Sequence, residues 1–132
     1  MRVGPVFPQP LAPAIARVQP IADEGIDLPS GGVARLHEVR TDASDDGMIL
    51  RFRYVADGFD PQTGTVDSVT DDLHRLCVAH AVPALHNAGL TDGHVVISLA
   101  DQPSEFGVDD PEIRQVFEAF TIQGDLCIWE FF

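Results

Sequence analysis

The sequence predicts an α+β fold: a mostly antiparallel sheet of about five strands with one long helix packed on one face. Three observations predict it. Residues 48–56 (MILRFRYVA) alternate between two faces, the period of a strand. Val66, Val69, Leu73, Leu76, Cys77 and His80 recur at helical spacing, and the chain closes on two β-rich runs separated by Gln123, Gly124 and Asp125.

Residues 1–30 are dense in proline and carry neither a helical nor a strand period, so they read as a proline-rich extended arm preceding a single α+β domain over 31–132. Gly31 and Gly32 open a strand over 33–40, which pairs with 48–56 as a hairpin around Thr41–Gly47. In the second strand Met48, Leu50, Phe52 and Tyr54 share one face, with Ile49, Arg51, Arg53 and Val55 on the other. The helix follows a loop with Gly58, Pro61 and Gly64. Thr65 or a neighbour caps it, and Asp67, Asp71 and Asp72 suit its positive end. Pro83 is expected to kink or divide it, and Asn87–Gly89 to end it. A buried strand is expected over 95–100 and an acidic loop over 101–115, with one helical turn capped by Asp109 or Asp110 before Pro111. A final hairpin joins 116–122 to 126–132.

Charge excludes several functions. Twenty-one acidic residues face eight basic ones, all arginine, for a formal charge of −13. Such a field repels nucleic-acid phosphates and anionic lipids, so no nucleic-acid partner is expected, whereas a basic partner or a divalent cation stays compatible. The absence of lysine removes Schiff-base chemistry and the phosphate-loop lysine. No window approaches the run of about eighteen apolar residues that spans a membrane, so no membrane insertion is expected. Pro5, Pro8, Pro10 and Pro13 interrupt any signal-peptide core near the N-terminus.

Cys77 and Cys127 are the only cysteines, one on the helix and one on the last strand, both on faces expected to point inward. A disulfide between them would place the protein in an oxidising compartment; two reduced, buried thiols are the alternative. His74, Cys77 and His80 superficially match a zinc-ligand spacing, but six residues of helix rotate the two histidines apart, and both read as partly exposed. Asp42, Ser44, Asp46 and Gly47 imitate half of a calcium loop, yet its twelfth position is Arg53, so neither metal nor cofactor is expected there.

A three-residue turn at Gln123–Asp125 would set Ile122 opposite Leu126 and Glu118 opposite Glu130. The two carboxylates would share a face with Val116, Phe120, Ile128 and Phe132, leaving Phe117, Ala119, Cys127, Trp129 and Phe131 to meet the helix. Arg51 and Arg53 are then natural partners for these glutamates. Phe120, Ile128 and Phe132 form the candidate binding surface.

The stretches LCVAHAVPALHNAGL, VVISLADQPSEFG and FEAFTIQGDLCIWEFF resemble an uncharacterised family of small exported proteins from Rhodobacter-type alphaproteobacteria, over roughly residues 36–132. The resemblance implies that both cysteines and the IWE-like ending recur and that a signal peptide precedes the domain. It carries over no catalytic residue.

The expectation is therefore a non-enzymatic periplasmic or secreted interaction domain with a protein partner. A small hydrolase using Glu118 and Glu130, with His37, is the alternative from another class. Cation binding by the Asp101–Glu112 loop is the third.

Overall fold

The computed structural model describes residues 25–44, 47–61, 66–108 and 110–130. Six strands form one sheet in the order of the chain: β1 (Ile26–Asp27), β2 (Val33–Ser44), β3 (Gly47–Val55), β4 (Asp92–Ala100), β5 (Gln115–Gln123) and β6 (Leu126–Trp129). The sheet curls into a half-barrel. Between β3 and β4 the helix runs as α1 (Val66–Leu76), a π-helical turn (Cys77–Ala81) and α2 (Val82–Asn87).

The expected α+β class and helix are present, but the sheet is mixed. β3 and β4 are parallel, and every other neighbouring pair is antiparallel. The reason is topological. A helix that returns the chain to the starting edge of β3 delivers the next strand in the same direction as β3. The sixth strand is β1, which pairs Ile26 with Ala34 and Asp27 with Val33. It lies inside the segment read as an arm, and its neighbour Leu28 is in the core. Residues 1–24 of that arm fall outside the described residues, as does Thr65.

The core follows from the two periodicities meeting. Leu50, Phe52 and Tyr54 of β3, Val95, Ile97 and Leu99 of β4, and Phe120 and Ile122 of β5 point to one side of the sheet, alternating with residues that point to the other. Leu73, Leu76, Cys77, His80, Ala81, Ala84, Leu85 and Ala88, spaced three or four apart, cover them. The small alanines let the second half of the helix approach the sheet closely. Pro83 divides the helix as expected: lacking an N–H, it cannot bond the carbonyl four residues back, and the turn before it widens so that Val82 N–H reaches Cys77 O. Gly89, at φ 84°, ends α2, and Leu90 N–H closes on Leu85 O at 2.9 Å.

Cys77 and Cys127 form a disulfide with Cα atoms 6.3 Å apart, tying the edge strand β6 to the π-helical turn. Asp110 Oδ1 accepts from Glu112 N–H at 3.0 Å, but the segment at Pro111 is a turn and not a helical one; Asp109 falls outside the described residues.

Candidate functional site

The turn joining β5 to β6 decides which side chains share a face. It holds two residues, Gly124 and Asp125, with Gly124 at φ 62°, so Gln123 pairs with Leu126, Ile122 with Cys127 and Phe120 with Trp129. The expected three-residue turn is one residue too long, and a slip of one inverts the facing of an entire strand. Cys127 and Trp129 do face the helix, but in β5 the helix side carries Phe120 and Ile122, and Phe117 is on the opposite side.

The expected carboxylate pair is therefore corrected. Glu118 is in phase with Phe120 on the helix side and accepts from Trp129 Nε1 at 2.5 Å. Glu130 is on the other side, beside Thr121 and His94. Two carboxylates on opposite faces cannot act on one glycosidic bond. Arg51 and Arg53 pair instead with Asp42 and Glu38 of the adjacent strand β2. Of the candidate binding residues, Phe120 is buried under the helix, Ile128 is exposed on the opposite face, and Phe132 falls outside the described residues.

The face turned away from the helix has its own order. Strand pairing aligns Glu38, Arg53, Ser98 and Phe117 in one row, Arg40, Arg51, Val96 and Ala119 in the next, and Asp42, Ile49, His94, Thr121 and Ile128 in a third. Among the described residues no helix covers these rows. The loop after β4 folds back over the first two, placing the Phe106 ring 4.2 Å from the Arg40 guanidinium carbon, 5.4 Å from that of Arg53 and 5.7 Å from that of Arg51. Three of the six arginines among the described residues thus surround one aromatic ring, in contact with its negative face.

The three guanidinium groups are held differently. Arg53 is buried and engaged at both terminal nitrogens: Glu38 takes Nη1, and Nη2 donates to Ser104 O at 3.0 Å and Ser104 Oγ at 2.9 Å. A buried charge requires such partners, so Arg53 anchors the loop to the sheet. Arg40 is exposed and approaches Glu38 at 3.6 Å. Arg51 binds Asp42 through Nε, which leaves both terminal nitrogens without a protein partner among the described residues.

A cleft of about 320 Å³ opens beside this cluster. Arg51, Arg53, Ser98 and Gln115 supply its polar wall; Val96, Phe106, Val108 and Phe117 supply its apolar one. Phe117 is 69% exposed and Val108 56%, both far more than core residues of their type. Ser98 lines the cleft although it is only 8% exposed, and its hydroxyl bonds to no described residue.

Towards β6, His94 Nδ1 stands 3.2 Å from both Glu130 Oε1 and Thr121 Oγ1, and Thr121 also donates to Glu130. The trio is not a nucleophilic triad. In a triad the hydroxyl and the carboxylate bond opposite ring nitrogens, and here they crowd the same one.

The remaining histidines are placed otherwise than expected or lie apart. His80, expected to be partly exposed, is buried and bonds Tyr54 Oη through Nδ1 at 2.9 Å; burial pulls its pKa down and pushes that of Tyr54 up. His74 is exposed, with its ring 5.9 Å from that of Phe120. His37 is the extra residue of a bulge between Leu36 and Glu38, on the Phe106 side and away from Glu118. Among the described residues no three His, Cys, Asp or Glu side chains gather as metal ligands. In the acidic loop Asp101 accepts from Arg114 N–H and Asp110 caps its own turn, so these carboxylates serve the backbone.

The sequence reading found Arg51 and Arg53 on a common face but missed the cleft. Its available signal was Phe106, a lone aromatic in an acidic loop, together with Arg40 one strand away.

No curated protein and no solved structure matches the chain. Residues 11–132 match a family of unknown function (DUF6497), reaching further toward the N-terminus than the resemblance read from residue 36, and the chain belongs to that family.

Proposed function

We propose that this is a non-enzymatic binding domain of an oxidising compartment, periplasmic or secreted, and that it binds through the sheet face carrying Arg40, Arg51, Arg53, Phe106 and Phe117. The observation that carries the reading is the gathering of Arg51, Arg53 and two exposed phenylalanines around one cleft, with Arg40 against the same Phe106 ring, in a chain of charge −13. Exposed aromatics and arginine are the residue types that dominate binding energy at interfaces. Within the cleft the Arg51 guanidinium, held by Asp42 through Nε, can orient an anion. The Cys77–Cys127 bridge supports the compartment, since structural disulfides persist where thiols are not kept reduced.

The test is paired capture from an envelope extract by the wild-type domain and by the F106S/F117S variant, with melting temperatures measured alongside. Both side chains are partly exposed, so the variant is expected to fold and to lose the captured partner. Equal capture by the two proteins would overturn the assignment to this face.

A further inference from the structure

The cleft specifies the class of its ligand. Resting on the reading of this face as the binding surface, we infer that it holds a monocarboxylate attached to a small apolar or aromatic body. Four observations converge on that chemistry. Arg51 is fixed by Asp42 through Nε while its terminal nitrogens stay unpartnered among the described residues, a donor pair whose spacing matches the two oxygens of a carboxylate. Ser98, more than nine-tenths buried on the cleft wall, has a hydroxyl with no bond to any described residue. Buried polar groups are normally satisfied, so this one awaits a partner from within the cleft.

Charge limits the anion to one negative unit. Arg40, Arg51 and Arg53 are offset by Glu38 and Asp42, and Glu105 also lines the cleft. A phosphate dianion would meet a balanced site inside a strongly negative molecule, whereas a single carboxylate needs only the two terminal nitrogens of Arg51. Size and polarity set the rest. Val96, Phe106, Val108 and Phe117 form an apolar wall, and about 320 Å³ is at the small end of ligand sites, which run roughly 300–1,000 Å³. A ring or short alkyl group stacked on Phe106 or Phe117 fills that wall while its carboxylate meets Arg51 and Ser98.

Titration of the isotopically labelled domain with N-acetylphenylalanine, its carboxamide and 3-phenylpropionate, followed by amide chemical shifts, tests the inference. Both acids are expected to bind at about millimolar strength, as suits ligands of this size, with shifts centred on Val96, Ser98 and Phe117. The carboxamide should bind at least tenfold more weakly. Tighter binding of N-acetylphenylalanine than of 3-phenylpropionate would identify a peptide C-terminus as the source of the carboxylate, and equal binding a free acid. R51Q should lose the preference for acid over amide; R51K, which keeps the Asp42 pair but not the planar donor pair, should retain only part of it. Equal binding of acid and amide on this face would overturn the carboxylate while leaving the face as a binding surface. Shifts confined to other parts of the molecule, or none, would overturn the inference, and the paired capture would then decide the face separately.

Discussion

The hydrogen bond between Tyr54 and His80 lies wholly between helix and sheet, where Tyr54 is 1% exposed and His80 6%. Burial keeps the phenol protonated, so it donates to the neutral ring at Nδ1; protonating the ring would remove that acceptor and leave an uncompensated charge in the core. The consequence for stability has a definite sign. The folded-state pKa of His80 is lowered, so below about pH 6.5 the unfolded chain takes up a proton that the folded chain refuses, and stability falls as pH drops from there toward the folded value. Each pH unit inside that window removes at most about 1.4 kcal/mol. Urea unfolding at pH 7.5 and pH 5 should show wild type losing more stability than H80N, whose amide oxygen keeps an acceptor for Tyr54 but does not titrate in this range. Equal losses would show that this ring does not couple to folding.

At the level of elements the β5–β6 turn carries the most consequence, since its length fixes what every residue of β5 faces. Gly124 adopts φ 62° with nothing within 4 Å of the position a side chain would take, so substitution there is opposed by backbone conformation alone. G124A should destabilise by about 1–2 kcal/mol in chemical denaturation, and G124N by clearly less because asparagine tolerates the left-handed region. A silent G124A would mean that the turn has another geometry. The same turn marks the boundary of what the sequence made legible. Periodicity in 48–56 and 66–80 locates β3, the helix and their buried faces, because each pattern extends over several repeats of one local geometry. The Gly124–Asp125 dipeptide is a two-residue hairpin signal, yet Gln123 reads equally well as part of a longer turn, and that single residue moved Glu118 to the wrong side. The cleft was hidden for another reason. Phe106 meets Arg40, Arg51 and Arg53 only after the loop folds back over the sheet, and no local pattern encodes a contact spanning more than fifty residues.

For the molecule as a whole, the disulfide and the position of β6 belong together. Among the described strands β6 lies at the edge, paired with β5 through four residues, and it exposes Leu126, Ile128 and Trp129. Such a strand buries too little to hold itself firmly, and a mobile apolar edge invites association with other chains. Cys127 anchors it to the π-helical turn across fifty positions of sequence, a closure that stabilises by about 4 kcal/mol in the chain-entropy model. Typical domains of this size have a total margin of roughly 5–15 kcal/mol, so loss of the bridge should be among the largest single changes available. Urea unfolding with and without reductant should differ by about 3–4 kcal/mol, and C77S/C127S should match the reduced wild type. Hydrogen exchange separates two routes to that loss. If the bridge mainly pins the edge, reduction should accelerate exchange at Leu126–Trp129 while β3 and β4 keep their protection. If it acts only on the unfolded chain, protection should fall together at all positions that open by global unfolding. The first outcome is expected, because the cross-link joins the least buried strand to the most buried face of the helix.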